Sequence, residues 1–404
     1  MAGRAFAPPR ARSRRVMTSS GGGSAAAAAV GAGASILARC SPGEVRAAAV
    51  RDGVLLDYAV WRPGRPDGVG DLHRGRVTAR VPALAGCFVA LGGAEADGFL
   101  PDSEGAAPEG TVLGVRVTRA AQGGKGPRLT ARVTEAERAL VGAGSPALIR
   151  RGPGAVERLA ALHPDAPVLA DDPALVALLR PVLGARMSAV TEVWDEDTAG
   201  QVDALAVPEV ALPGGVRASI HPTPALVAID LDTAGASADR RAKAAAQWAA
   251  NAAVLPALAR QVRLRNLSGA ILVDLAGLSP KRRASLAPAF ARALEGDPLR
   301  PRLLGFTALG LAEILRPRVH PPLHEVLAGP HAAGLAALRE AAREAAARPS
   351  AVFAVRAAPD VAAAVQSDSV AAADLARRTG RPLMLRPDPA LPPGGWTLDE
   401  VRRA

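Results

Sequence analysis

The chain has 404 residues, room for about two to four domains at roughly 150 residues each, and its 49% hydrophobic and 22% charged content excludes global disorder and a collagen-like fold. Aromatics make up only 3%, so the cores must be built from Ala, Val and Leu. The net charge is +11, but residues 1–39 hold six arginines and no acid, which leaves +5 elsewhere; charge permits a nucleic-acid partner without selecting one.

Residues 1–35 form a low-complexity Arg, then Gly/Ser/Ala tract that reads as a disordered tail, with Met17 a second candidate start. Its paired arginines before an Ala/Gly-rich stretch make a weak match to a twin-arginine export sequence, and the expectation is a cytoplasmic protein. No window of about 20 strongly apolar residues is present, so no membrane span is expected. Cys40 and Cys87 are too few for a disulfide framework or a CxxC zinc site and read as buried thiols of a reducing compartment.

From residue 36 the pattern turns to short β-like runs. EVRAAAV and VLLDYAV flank Asp52-Gly53, a hairpin turn. After the break WRPGRPDGVG come LHRGRVTARV, GCFVALG, DGFLP, TVLGVRVTRA and RLTARV. Five short strands separated by Gly, Asp and Pro predict a small closed antiparallel barrel of the OB type. Such barrels hold single strands on aromatic platforms beside basic groups, for which Phe88, Phe99 and Lys125 are the candidates. Two phenylalanines also fit a barrel core. The loop GGKGPR is no P-loop, because it lacks GK[ST] and a following helix.

Residues 145–205 read as mixed α/β, with Asp171, Asp172, Asp195 and Asp197 as loop and cap residues. ALVAIDLD then ends an apolar run in Asp230 and Asp232, and AILVDLAG carries Asp274. Between them Ala238–Leu264 predicts a helix, N-capped by Ser237 or Asp239 and kinked at Pro256. Ser279-Pro280 opens another helix, closed by Gly296, and RLLGFTALG reads as a third strand, giving an α/β sheet. If the first two strands are neighbours, Asp230 and Asp274 end at comparable depth, where paired carboxylates select hard Mg²⁺ or Mn²⁺. An Asp ending a buried strand also serves as a helix cap, and the residues alone leave both readings open. His320, His324 and His331 lack thiolates or acids at ligand spacing and read as surface groups. GLAALREAAREAAARPS predicts an amphipathic helix, packed on the surface or offered to a partner.

HRGRVTARVPALAGCFVALGGAEADGFL followed by GGKGPRLT resembles, in order, the RNA-binding barrel of the ribonuclease E/G family. AIDLDT, ARQVRLRNLSG, ILVDLAGL and LGLAEILRPRVHPPL likewise resemble that family's AID[IV]NS, RQLRLRDLGG, IVIDFIDM and FGLLEMTRKRVRPSL. The resemblance covers roughly residues 36–135 and 205–325 and implies an α+β multidomain chain. It implies an RNase H-like portion (36–69 and 136–208) interrupted by an OB-fold RNA-binding barrel (70–135). A DNase I-like catalytic domain (209–325) and a helix with a shortened small domain (326–404) would follow. By the same resemblance, Asp230 and Asp274 fall on Mg²⁺ ligands and Phe88, Phe99 and Lys125 contact single-stranded RNA; Asp232, a third carboxylate beside them, is expected to assist or modulate the catalytic pair. The activity implied is a Mg²⁺-dependent endoribonuclease that leaves a 5′-phosphate and a 3′-hydroxyl in unpaired, A/U-rich RNA.

Several departures are visible. Asp232 stands where the family has Asn, Asn266 replaces an Asp and could offset that charge, and Ala308 replaces an Arg, removing a phosphate contact or serving as ordinary packing. About ten residues remain where the family has a 5′-sensing subdomain, and no CPxC follows HPPLHEVL, so no zinc and no zinc-linked oligomer is expected. These departures keep a second reading open, an RNA-binding protein of the same family whose catalysis has decayed. A third is an adaptor working through the 332–348 helix.

Overall fold

The computed structural model describes residues 33–93, 96–233, 240–275 and 277–401. The expected caps Ser237 and Asp239 lie outside these residues, as does most of the 1–35 tail. The chain opens with β1 (Ser35–Ser41), β2 (Glu44–Arg51) and β3 (Val54–Trp61). Asp52 (φ 50°) and Gly53 (φ 72°) both take left-handed backbone between β2 and β3, the tight turn that Asp-Gly predicts. β1 escaped notice in the sequence because it is covered on both sides. Ile36 and Ala38 pack into one core and Leu37 into another, so no alternation marks it.

Next come β4 (Leu72–Val81), β5 (Gly86–Leu91), β6 (Gly98–Pro101), β7 (Val112–Arg119) and β8 (Arg128–Thr130). Their pairing runs β5-β6-β8-β7-β4 and closes through β4–β5, a five-stranded barrel consistent with the OB expectation. Its interior is aliphatic: Val77, Cys87, Val89, Leu91, Leu100, Val115, Val117 and Leu129. Phe88 and Phe99 are absent from that core, so their reading as barrel packing fails.

After α1 (Glu135–Val141), β9 (Ala147–Arg150) adds to β4. Then follow α2 (Ala155–Leu162), β10 (Val168–Ala170), α3 (Pro173–Leu183), β11 (Met187–Ala189) and α4 (Glu196–Asp203). β10 and β11 return to the first sheet in the order β11-β10-β1-β2-β3, so the barrel is an insertion in the chain path of that sheet. Asp172 and Asp195 cap α3 and α4, as their positions predict.

A third unit holds β12 (Glu209–Leu212), β13 (Val216–Pro222), β14 (Val227–Thr233), α5 (Arg240–Leu264) and β15 (Gly269–Asp274). It continues through α6 (Pro280–Ala284), α7 (Ala287–Leu294), β16 (Arg302–Phe306) and β17 (Ala312–Arg316). The sheet order is β12-β13-β14-β15-β17-β16. Two corrections to the sequence reading arise here. The helix expected over 279–296 is two helices, because Pro288 has no N–H to give and crowds the carbonyl four residues back. The strand at 302–306 lies at the sheet edge, since β17 inserts between it and β15 and makes the sheet mixed. α5 by contrast continues through Pro256 as one helix.

One face of this sheet is dry. Ile229, Ile271, Val273 and Ile314 meet Leu255, Leu258 and Phe290 from α5 and α7. Each large aliphatic or Phe side chain fully buried there is worth about 1.5–3 kcal/mol relative to exposure.

The chain ends in α8 (Leu323–Val326), α9 (Gly329–Ala347), β18 (Phe353–Ala357), α10 (Pro359–Gln366), α11 (Ser369–Thr379), β19 (Leu385–Pro387) and β20 (Trp396–Glu400). α9 buries Leu335 and Leu338 against Val355 and Val361, and Arg339 reaches Glu44 of β2 at 2.9 Å. The helix offered to a partner in one sequence reading is therefore a packed one.

Candidate active site and nucleic-acid interface

Among the described residues the other face of the third sheet carries no helix-packed core, and alternation along its strands decides what it presents. On β14 Val227, Ile229 and Leu231 point into the core, so Ala228, Asp230 and Asp232 point out and are exposed. On β15 Ile271 and Val273 are buried, which turns Leu272 and the half-buried Asp274 to the open side. β14 and β15 are parallel neighbours joined by α5, and Asp230 pairs in register with Asp274. Neighbouring strands lie about 4.8 Å apart, so the two carboxylates stand side by side at the C-terminal ends of their strands. Asp232 sits one repeat further along β14, opposite Arg217 of β13.

Asn266 plays no part in balancing Asp232. It lies before β15, at the far end from the carboxylates, where its Nδ2 donates to the His320 and Pro321 carbonyls and its Oδ1 accepts from Arg316. The register partner of Asp232 is instead Arg217. Ala308 is exposed in the turn between β16 and β17, so it is not packing. The three histidines do not form a site. His320 bonds Asp67 (2.6 Å), His331 bonds Asp368 (2.9 Å) and His324 lies 3.9 Å from Glu325. His320 and His331 are largely buried in those pairs rather than surface groups.

Three neighbours of the acids escaped the sequence reading. Arg283 of α6 donates Nη1 to Asp274 Oδ1 at 2.5 Å. Glu313 of β17 is the register partner of Leu272. Ser219 of β13, opposite Asp230, bonds His221 at 2.8 Å and Glu209 at 2.7 Å. Glu313 and Ser219 were recoverable from period-2 alternation once β13 and β17 were assigned, whereas Arg283 depends on where α6 turns.

The donor set is all oxygen, which suits Mg²⁺ or Mn²⁺ held by one or two carboxylates and completed by water and substrate phosphate. Among the described residues no three His, Cys, Asp or Glu side chains gather into a group able to hold a metal ion. Asp230 and Asp274 are the two carboxylates that strand register sets side by side, and Asp232 lies one repeat further along β14.

On the barrel, Phe88 and Phe99 are register partners on its outside, edge to face with ring centroids 5.8 Å apart. Gly86 leaves room for this arrangement, since a Cβ there would stand 2.5 Å from Phe99 Cζ. Lys125 is exposed in the turn closed by Gln122, and that turn is pinned beside Phe99 by Phe99 N–H donating to the Pro127 carbonyl at 2.8 Å. Phe88 and Phe99 thus meet on the outside of the barrel, and the turn that carries Lys125 leads into the segment bonded to Phe99.

It adds Arg128, which pairs with both Phe99 and Arg119. Burial, reinforced by Arg128 and Arg318, pushes the Arg119 guanidinium below its ordinary pKa, and its Nε has no acceptor among the described residues. The Ala120 N–H donates to the Val319 carbonyl at 2.9 Å, tying this side of the barrel to the segment that leaves β17. A cavity of about 760 Å³ lined by Trp61, Arg158, Asn266 and Arg316 opens at the start of β15, away from Asp274.

Residues 190–319 match the model of the ribonuclease E/G family. Ribonuclease E of Synechocystis sp. is 35% identical over 124 residues, which are 30% of this chain and 18% of that protein. Ribonuclease G of Escherichia coli K12 is 32% identical over 120 residues, 30% of this chain and 24% of that protein. Ribonuclease E of the same organism is 32% identical over 126 residues and 12% of its length. The matches thus span less than a quarter of these relatives, and the matched segment is the one that carries Asp230, Asp232 and Asp274. Over that segment, about a third of its length, the chain is similar to the ribonuclease E/G family.

Proposed function

We propose that this protein is an endoribonuclease that cuts single-stranded RNA with Mg²⁺ or Mn²⁺, acting in RNA processing or decay in the cytoplasm. The observation that carries the reading is the register pairing of Asp230 with Asp274 on the open face of the sheet, inside the segment shared with ribonucleases E and G. On this reading the first sheet is an RNase H-like portion and the third a DNase I-like catalytic domain.

Phe88 and Phe99 offer aromatic faces on which bases stack irrespective of sequence, and Lys125, Arg119 and Arg128 offer cations to the phosphates. Asp230 and Asp274 would hold the cation, which supplies charge stabilisation at a phosphate oxygen and a water acidic enough to attack it. Asp232, held opposite Arg217, would modulate the pair from one repeat away. No zinc-linked assembly is expected.

Incubating the full chain with an end-labelled unstructured RNA tests the reading. Internal cuts bearing 5′-phosphates, present with Mg²⁺ and absent with EDTA, are expected. RNA held in a stable complex but left intact under Mg²⁺ and Mn²⁺ would favour the decayed RNA-binding protein. The ion pair already occupying Asp274 is the observation on that side.

A further inference from the structure

Arg283 is built into the carboxylate site. Its Nη1 donates to Asp274 Oδ1 at 2.5 Å and reaches the Gly310 carbonyl at 3.3 Å, while its Nε donates to the Leu278 carbonyl at 2.8 Å. Gly310 has positive φ (86°), and a Cβ there would stand 3.0 Å from Arg283 Cδ, so the β16–β17 turn closes directly over the side chain. With 14% of the side chain exposed against 45% for Asp274, the guanidinium is the fixed member of the pair. Among the described residues Asp274 is ion-paired with Arg283, and neither Asp230 nor Asp232 has an ion-pair partner of this kind.

From this geometry we infer that Arg283 is a positioning residue that acts as a resident counter-cation. It orients Asp274 toward Asp230 and at the same time weakens the pair's hold on a free divalent ion. The inference rests on the metal-site reading above. A carboxylate that already shares its charge with a guanidinium binds a second cation less tightly, and the guanidinium adds repulsion of its own. RNA phosphate supplies the missing negative charge, so the ion is retained when RNA and cation are bound together. The device makes cation loading depend on substrate.

Titration of Mn²⁺ into the full chain by electron paramagnetic resonance, with and without a non-cleavable phosphorothioate RNA, tests this without reference to turnover. The Arg283→Gln variant is expected to bind Mn²⁺ about tenfold more tightly than the parent in the absence of RNA, the usual size of one adjacent charge acting on a partly exposed carboxylate. RNA should tighten Mn²⁺ binding less in the variant than in the parent. Arg283→Lys, which keeps the charge, should stay near the parent, and an unchanged thermal transition in both variants controls for folding. Mn²⁺ binding that is unchanged or weaker in Arg283→Gln, but lost in Asp274→Asn, would overturn the counter-cation role while leaving the metal site standing. No Mn²⁺ binding in any protein, with or without RNA, would overturn the metal site itself.

Discussion

Asp230 and Asp274 are register partners on parallel strands, and the helix joining those strands packs on the opposite face of the sheet. The α5 crossover thereby buries the apolar half of each strand and leaves both acids at the same depth on an open surface. Two carboxylates held that close are useful to a cation and costly without one, which is why Arg283 at Asp274 weighs so heavily in the site.

The edge-to-face pair of Phe88 and Phe99 predicts the RNA platform. Phe99→Ala should weaken binding of single-stranded RNA about tenfold, within the range of about 1–3 kcal/mol per stacked base, without lowering the thermal transition much, because the ring lies outside the aliphatic barrel core. Gly86→Ala should also weaken binding but lower the thermal transition as well, since its Cβ would stand 2.5 Å from Phe99 Cζ and 2.6 Å from the Leu100 carbonyl oxygen. Fluorescence anisotropy with a short labelled RNA measures both.

Arg119 and Arg128 face each other across β7 and β8 with no acid bonded to either among the described residues. Replacing each with Gln should reduce the slope of log affinity against log salt by about one per arginine, with no change in sequence preference. Binding isotherms at several salt concentrations decide the point. An unaltered slope would remove these arginines from the RNA path.

Glu44 predicts the acid behaviour of the fold. Burial opposes its ionisation, but Arg46, Arg62 and Arg339 reverse that and hold its carboxyl below the ordinary 4.5. A depressed folded pKa stabilises the fold at any pH above the unfolded value, near 4.3, and the stabilisation drains away as pH falls through the folded value. Chemical denaturation between pH 3 and 7 should therefore show a loss below about pH 4.3 that Glu44→Gln lacks. That variant should be about 3 kcal/mol less stable at pH 7, since three arginines lose their common partner.

Much of this architecture was legible in the sequence where a local rule decides the outcome. Asp52-Gly53 could only be a tight turn, and the five barrel strands are each bounded by Gly, Asp or Pro. The reading went wrong where a local rule was overlooked at Pro288, and where burial on both faces erased alternation, as at β1. What could not be read was which strands become neighbours. β17 inserted beside β15 brings the Gly310 turn over Arg283, and β13 brings Arg217 opposite Asp232. Those are contacts between residues distant in sequence, set by sheet order. The outward placement of Phe88 and Phe99 was open for a similar reason, since an aromatic-poor chain leaves either side of a barrel strand available to them.

The most direct test of the central claim compares the parent chain with the Asp230→Asn, Asp274→Asn double variant on a labelled single-stranded RNA, in Mg²⁺ and in EDTA. Cleavage and RNA affinity are measured on the same samples. The account predicts Mg²⁺-dependent cleavage by the parent, its loss by more than about a hundredfold in the variant, and RNA affinity equal or slightly greater once two negative charges are gone. Cleavage that survives in the variant, or that proceeds equally well in EDTA, would contradict the assignment of the chemistry to this pair of carboxylates.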